Sequence, residues 1–286
     1  MPSTDIHYKF IFSPNNSGTT VMSQYLAAHL PESYLPPFGN NEGQMAPNVI
    51  SIMRSEPWNP DSLFDWKAIK NEWDTLATRE GKSVFIECSP PNILRVSKIL
   101  ATFPNSEYVF SISSPYSYIA SHLFNYAGKS RLRKGVATEE SFANYVDLAT
   151  NIWINKAKVQ KNNIELHGSA AKRITYEEFC ANPPKLLRCL GIAHQKRNSR
   201  LPVITGKANT EIGEIINMLP KHLSFLGIDG ISRVNSLLSG YRDLVEWHGY
   251  NFLSLTDSDS VLSENILLAL DGQRRRICFD QRIRKY

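Results

Sequence analysis

Short apolar segments alternate with longer amphipathic ones along most of the chain. Residues 7–13 (HYKFIFS), 83–88 (SVFIEC) and 107–113 (EYVFSIS) are rich in aromatic and β-branched residues, a composition typical of buried strands. Between them, apolar residues recur at intervals of three and four, which predicts helices. The predicted helices cover residues from about 21 to 31, 61–79, 93–103, 116–126 and 139–160.

Two regions depart from this alternation. Residues 35–59 are rich in proline, asparagine and glycine, which predicts a long irregular segment. A further strand is expected at 172–176 (KRITY), after which only helices and loops follow. The late helices are expected at 210–218, 231–248 and 260–271.

The alternation of strands and helices predicts an α/β fold. Right-handed crossovers would bring the strands into a central, mainly parallel sheet flanked by helices, with a helical C-terminal portion packed on it. We interpret residues 1–286 as a single domain with a basic tail at about 273–286. In such sheets, ligands bind beyond the carboxyl ends of the strands. Three predicted loops fall there, at 13–20, 87–92 and 113–121.

The composition is that of an ordinary globular protein, with 42% hydrophobic and 21% charged residues. The net charge of +5 suits an anionic ligand but is too diffuse to indicate nucleic acid binding. No apolar run reaches the roughly 18 residues that a membrane span needs. No signal peptide is recognisable, and the four cysteines lack the spacing of metal ligands. We therefore expect a cytoplasmic protein without a metal.

Residues 13–20 link the first predicted strand to the first helix, and their core is Asn15-Asn16-Ser17-Gly18-Thr19-Thr20. A glycine-bearing turn at a helix start directs backbone N–H groups and the positive helix end at a phosphate. The segment lacks the G-x-x-x-x-G-K-[ST] pattern, so it is not a Walker loop. A helix N-cap would also account for its hydroxyl residues. The segment alone is compatible with either role.

Further segments favour the phosphate loop because they occur in a recognisable order. They are N-E-G-Q at 41–44, E-C-S-P at 87–90, S-S-P at 113–115 followed by Ser121, Y-E-E-F at 176–179 and G-Y at 249–250. Together with S-G-T-T, this set resembles the sulfotransferases that use 3′-phosphoadenosine 5′-phosphosulfate (PAPS). The resemblance spans about residues 9–250 and implies a P-loop nucleotide-binding, sulfotransferase-like fold.

The resemblance also implies an activity. A sulfuryl group would move from PAPS to a hydroxyl or amine of an unknown small-molecule or carbohydrate acceptor, leaving adenosine 3′,5′-bisphosphate (PAP). The loop at 15–20 would hold the donor's 5′-phosphosulfate, Ser113 and Ser121 its 3′-phosphate, and Lys207 would close the donor site. The implied donor-binding residues are Asn15, Asn16, Ser17, Gly18, Thr19, Thr20, Ser113, Ser121 and Lys207.

Three basic positions of the family pattern are neutral here: Asn16, Cys88 and Ser113. The loss matters because negative charge accumulates on the leaving phosphate during transfer. Two explanations stay open. Either other cations take over, or the protein is a non-catalytic nucleotide- or anion-binding relative that keeps the fold. The candidate replacements are Lys129, Arg131, Arg133, Lys134 and Lys207.

Three residues are candidates for the chemistry itself. Asn16 would donate a hydrogen bond to the donor. Glu87, at the carboxyl end of a strand, is either a general base or a carboxylate that binds the N–H groups of the next turn. His122 follows Ser121 and is either a base or a structural histidine. The sequence leaves these alternatives open.

Overall fold

The computed structural model describes residues 5–54, 56–128, 139–193, 210–211 and 214–254. Its central sheet has five strands in the order β2-β3-β1-β4-β5, and all neighbouring strands are parallel. The strands are β1 (His7–Phe12), β2 (Ser33–Tyr34), β3 (Val84–Glu87), β4 (Ser106–Ile112) and β5 (Lys172–Thr175). The predicted α/β class with a parallel central sheet is confirmed.

Helices make up most of the remaining described chain, and none of the described helices has the length and apolar character needed to cross a membrane. The helices are α1 (Thr19–His29), α2 (Pro47–Met53), α3 (Trp66–Arg79), α4 (Val96–Thr102), α5 (Pro115–Gly128), α6 (Glu139–His167), α7 (Tyr176–Ala181), α8 (Pro184–Cys189), α9 (Leu219–Leu238) and α10 (Arg242–Trp247). A small antiparallel pair joins β6 (Thr210–Glu211) to β7 (Glu214–Ile215).

The chain divides into two compact units. The first takes in residues up to 112 together with 159–216, and the second takes in 113–158 together with those from 217 onward. The boundary therefore passes through α6. The expectation of a single domain over 1–286 stays a prediction.

The sheet of the first unit is covered on both faces. One face carries the aromatic row Tyr8, Phe10 and Phe12, which packs with Trp73 of α3. The other face carries Ile11, which belongs to the cluster that includes the buried apolar residues of α1 and α8. Burial on both faces explains why the β1 sequence is apolar almost throughout instead of alternating.

The second unit is helical, and α5 packs against α9 within it. The Tyr116 hydroxyl donates to Asn235 Oδ1 and accepts the Leu253 N–H at 3.0 Å. Asn235 Nδ2 donates to Leu253 O at 2.8 Å. These bonds tie residues 251–254 to both helices.

Several predicted elements need correction. Residues 210–218 are not a helix but the short pair β6 and β7 followed by an irregular stretch. The irregular region 35–59 contains α2, and the helix predicted from residue 61 begins at Trp66, because Asp65 caps it by accepting the Ala68 N–H. The helix predicted at 231–248 is the end of α9, a 3-10 turn and α10. The predicted helix at 260–271 lies outside the described residues.

Arg95 holds the irregular region in place. It is 3% exposed, and one guanidinium nitrogen donates to Pro57 O at 2.8 Å, while the other donates to Asn59 O. The guanidinium also lies 4.3 Å from the centre of the Phe64 ring. Its described partners are carbonyl oxygens and a ring, so this buried cation serves structure.

We expect Arg95→Met to lower the free energy of unfolding by about 2–4 kcal/mol, because it leaves buried carbonyl groups without donors. Lys98→Met, at an exposed position of α4, is the control and should change it by less than about 0.5 kcal/mol. Urea titration measures both. Equal stability of the two variants would contradict the assignment.

Candidate functional site

The predicted loops start at one edge of the sheet. β1 is paired in parallel with β3 on one side and with β4 on the other. Neighbouring parallel strands end at the same edge, so the chain leaves the sheet there at Ser13, Cys88 and Ser113.

The loop between β1 and α1 has the backbone of an anion-binding turn. Asn16 has a φ of 60° and Gly18 a φ of 77°, both in the left-handed region. Helical hydrogen bonding begins with the Met22 N–H, which donates to Gly18 O at 3.1 Å. The cap residue is Gly18, which has no side chain to accept the first N–H groups of the helix. This geometry leaves backbone donors at a helix start, as phosphate loops require.

Gly18 also has a packing role. A Cβ atom at this position would collide with the ring of Tyr176, whose hydroxyl donates to Ile216 O at 3.0 Å. Glycine is therefore required here by both the positive φ and the contact. A substitution of Gly18 would disturb packing together with any anion site.

The hydroxyl groups of the loop are mostly turned into the protein. Ser17 is fully buried, and the Thr20 hydroxyl donates to Asn40 O at 3.4 Å. In the next turn of α1, Gln24 Nε2 donates to Asn41 Oδ1 at 2.8 Å. These two contacts fasten the 40–41 segment to α1.

Glu87 joins the segment at 41–44 to the turn after β3. Its carboxylate accepts hydrogen bonds from the Gly43 N–H at 2.7 Å, the Ser89 N–H at 2.8 Å and the Asn92 side-chain amide at 2.9 Å. A Cβ on Gly43 would collide with this carboxylate and the Trp73 ring, so only glycine lets the 41–44 segment lie this close to Glu87. The carboxylate is the link between the two loops.

The environment of Glu87 raises its pKa. Burial raises the pKa of this carboxyl to about 7, against the lowering effect of the hydrogen bonds from Ser89 and Gly43. The side chain is 1% exposed, and both oxygens accept hydrogen bonds. This geometry corresponds to the second sequence interpretation, a carboxylate that binds the next turn. Catalysis by Glu87 stays a prediction.

The remaining predicted site residues are dispersed. Ser113, Ser121 and His122 lie in the second unit, where the His122 ring stacks on that of Tyr118 with centroids 6.0 Å apart. Burial, together with the charge of Lys156, lowers the pKa of His122. Lys207 and the basic run at 129–134 lie outside the described residues.

A comparison with protein families identifies the family of this chain. The sequence model of the sulfotransferase family matches residues 10–191, which is well over half of the chain and begins inside β1. The chain belongs to the sulfotransferase family.

Solved sulfotransferases give weaker likenesses. The sulfotransferase domain of the curacin biosynthetic pathway is 18% identical, with a TM-score of 0.46, covering 86% of this chain and 99% of that domain. A sulfotransferase from Alicyclobacillus acidocaldarius is 16% identical, with a TM-score of 0.45, covering 81% of this chain and 95% of that one. The search of curated proteins gave no match. The assignment rests on the family match.

This member of the sulfotransferase family has neutral residues where the resemblance expects cations, and two of those positions are interior. Cys88 is fully buried, and its thiol donates to Asn41 O at 3.2 Å. Ser113 is 1% exposed, and its carbonyl accepts the Trp153 Nε1–H at 3.1 Å. A cation at either place would be buried at high cost unless it were paired. Asn16, by contrast, is half-buried.

Gln160 is a residue of the site region that sequence reasoning missed. Gln160 lies on α6 and is fully buried. Its Nε2 donates to Phe12 O at 2.6 Å and to Ser111 O at 2.8 Å. It therefore bridges β1 and β4 near the edge where the candidate loops begin. A lone glutamine in an amphipathic helix gives no sequence signature of this role.

Other features of the described chain offer no competing site. A cavity of about 490 Å³ lies near the amino ends of β1 and β3, and its lysine, Lys9, is already paired with Glu107 at 2.9 Å. Among the described side chains, no three His, Cys, Asp or Glu residues come together as metal ligands would. The candidate site is therefore the loop edge.

The raised pKa of Glu87 predicts a pH-dependent stability. The folded state holds the proton more tightly than the unfolded chain, whose carboxyl pKa is 4.5. This contribution is complete below pH 4.5 and is lost as the pH rises through about 7. The stability of the wild type relative to Glu87→Gln should therefore fall by up to about 3 kcal/mol over that range.

Urea titrations between pH 4 and 8 measure this difference. Glu165→Gln, which removes an exposed carboxylate of α6, is the control and should keep the wild-type slope. A constant difference between wild type and Glu87→Gln would mean that folding leaves the pKa of this carboxyl unchanged.

Proposed function

We propose that this protein is an enzyme that transfers a sulfuryl group from PAPS to a hydroxyl or amine of a small-molecule or carbohydrate acceptor. One observation carries the proposal. The family match begins within β1 and includes the 15–20 loop, whose backbone has the geometry of a phosphate-binding turn at the start of α1.

The donor would bind chiefly to backbone groups. The N–H groups of the loop and the positive end of the α1 dipole would face the 5′-phosphosulfate, and Asn16 would add a side-chain amide donor. Ser113 and Ser121 would contact the 3′-phosphate, and Lys207 would close over the donor. Such contacts are fixed before the reaction, so they need no rearrangement as charge develops.

The reaction would be an in-line displacement at sulfur. The acceptor oxygen or nitrogen forms a bond to sulfur while the bond from sulfur to the 5′-phosphate oxygen breaks. The electron pair of that bond leaves with PAP, and the acceptor loses one proton to a base. The protein would position the two reactants and stabilise the developing charge. The displacement needs no covalent intermediate with the protein.

The two candidate bases differ in their surroundings. The lowered pKa of His122 keeps its ring neutral near pH 7, the form that accepts a proton, and its Nε2 is buried. Both oxygens of Glu87 are occupied by the loops they hold. We therefore propose that Glu87 positions the site.

The alternative is a non-catalytic nucleotide- or anion-binding protein with the same fold. The neutral residues at positions 16, 88 and 113 favour it, because backbone donors can hold a ground-state phosphate without stabilising the transition state. Binding and turnover must therefore be measured separately.

Asn16→Asp tests whether the donor's phosphosulfate lies at the loop. Aspartate has nearly the same shape and tolerates the left-handed backbone, but it sets a negative charge beside the anion. We expect calorimetric titration with PAP to show an affinity reduced about tenfold or more. Asn71→Asp, the same charge change on an exposed part of α3, should leave the affinity unchanged. Equal affinities for both variants would place the nucleotide elsewhere.

Asn16→Lys separates an enzyme that lacks a cation from one that has replaced it. If no other group stabilises the leaving phosphate, the variant should release PAP from labelled PAPS about tenfold faster or more, with a smaller gain in affinity. The lysine costs about 1 kcal/mol in the left-handed backbone, so thermal unfolding is the control. An unchanged rate in an active protein means that another cation fills the role. Tight binding without turnover in both proteins supports the alternative.

A further inference from the structure

One face of α5 carries a polar stripe that ends near the solvent. Ser114, Ser117, Tyr118, Ser121 and His122 recur at intervals of three and four, so they share this face. The Ser114 hydroxyl accepts the Ser117 N–H at 3.1 Å. Ser117 is 1% exposed, and its own buried hydroxyl has no hydrogen-bond partner. Ser121 and His122 are half-buried, so the stripe opens at that end.

A lysine from α6 lies against the stripe. The Lys156 Nζ is 5.7 Å from the centre of the Tyr118 ring, and that ring stacks on His122. Trp153, which precedes Lys156 by nearly one helical turn, donates its indole N–H to Ser113 O at 3.1 Å. Trp153 and Lys156 of α6 therefore both lie along the segment that begins at Ser113 and continues past Ser121.

The lysine is charged and partly removed from water. Burial lowers the pKa of its ammonium group to about 8, so it remains mostly charged at pH 7. The same charge helps to keep His122 neutral. A half-buried positive charge interacts with an anion more strongly than one on open surface, because the surrounding dielectric constant is lower. A bound anion would in turn offset the cost of burying the ammonium group.

We propose that Lys156 supplies the positive charge for the 3′-phosphate of the nucleotide, in place of the basic residue that the family pattern has where this chain has Ser113. Ser121 would donate a hydrogen bond to the same phosphate. The inference rests on the proposed function, since it assumes that the nucleotide is PAP or PAPS. It accounts for the neutral Ser113 through a compensating lysine more than 40 residues later in the chain.

The test compares two nucleotides that differ only in the 3′-phosphate. Calorimetric titrations use adenosine 3′,5′-bisphosphate and adenosine 5′-monophosphate with wild type, Lys156→Met, Lys156→Arg and Lys158→Met. Lys158 is the matched control, an exposed lysine on the same helix that lies over another tyrosine ring, 4.8 Å from the centre of Tyr241. Affinity for the monophosphate also reports whether each variant is folded.

We expect Lys156→Met to weaken the bisphosphate about tenfold or more and to change the monophosphate by less than about twofold. Lys156→Arg should restore most of the lost affinity, and Lys158→Met should alter neither nucleotide. An equal loss for both nucleotides, or no loss for either, would overturn the role of Lys156 but not the proposed function. A wild-type protein that binds the monophosphate as tightly as the bisphosphate, or binds neither, would overturn the proposed function as well.

Discussion

The buried carboxylate of Glu87 is the constraint on which the candidate site depends. Its oxygens hold the Gly43 N–H, the Ser89 N–H and the Asn92 amide, so two irregular loops share one anchor. Hydrogen bonds of this kind to backbone N–H groups are directional, which suits them to fixing loops that lack regular structure. Gly43 is required because any side chain would separate the loop from the anchor.

The same arrangement shapes the electrostatics of the loop edge. With Cys88 buried in the core and Ser113 turned inward, two positions that the resemblance makes basic contribute packing instead of charge. The positive field at the 15–20 loop then comes from backbone N–H groups and the start of α1. A field of this kind is permanent and needs no ion pair, but it is weaker than that of a positioned lysine or arginine.

Family membership and function rest on different observations. The match over residues 10–191 establishes the scaffold, whereas the reaction depends on a few groups at the loop edge. The structure divides those groups between a sheet-based unit and a helical unit. The backbone of the phosphate loop belongs to the first, and the polar stripe with its lysine belongs to the second.

The sequence by itself determined the parallel sheet and the position of the loops. The apolar runs of β1, β3 and β4 are short and buried, and local patterns of this kind are set by burial on both faces. The ordered motifs also identified the family. Local pattern failed at 210–218, where the chain forms two very short paired strands whose pairing no periodicity predicts.

Only the tertiary structure decided which side chains meet. Glu87 and Gly43 are 44 residues apart, and Gln160 is 148 residues from Phe12, so no spacing rule connects them. The two interpretations of Glu87 were equal in the sequence because a strand end permits both, and its hydrogen-bond partners come from a loop folded back by other contacts. Lys156 looks like any lysine of an amphipathic helix, and its burial against Tyr118 follows from helix packing alone.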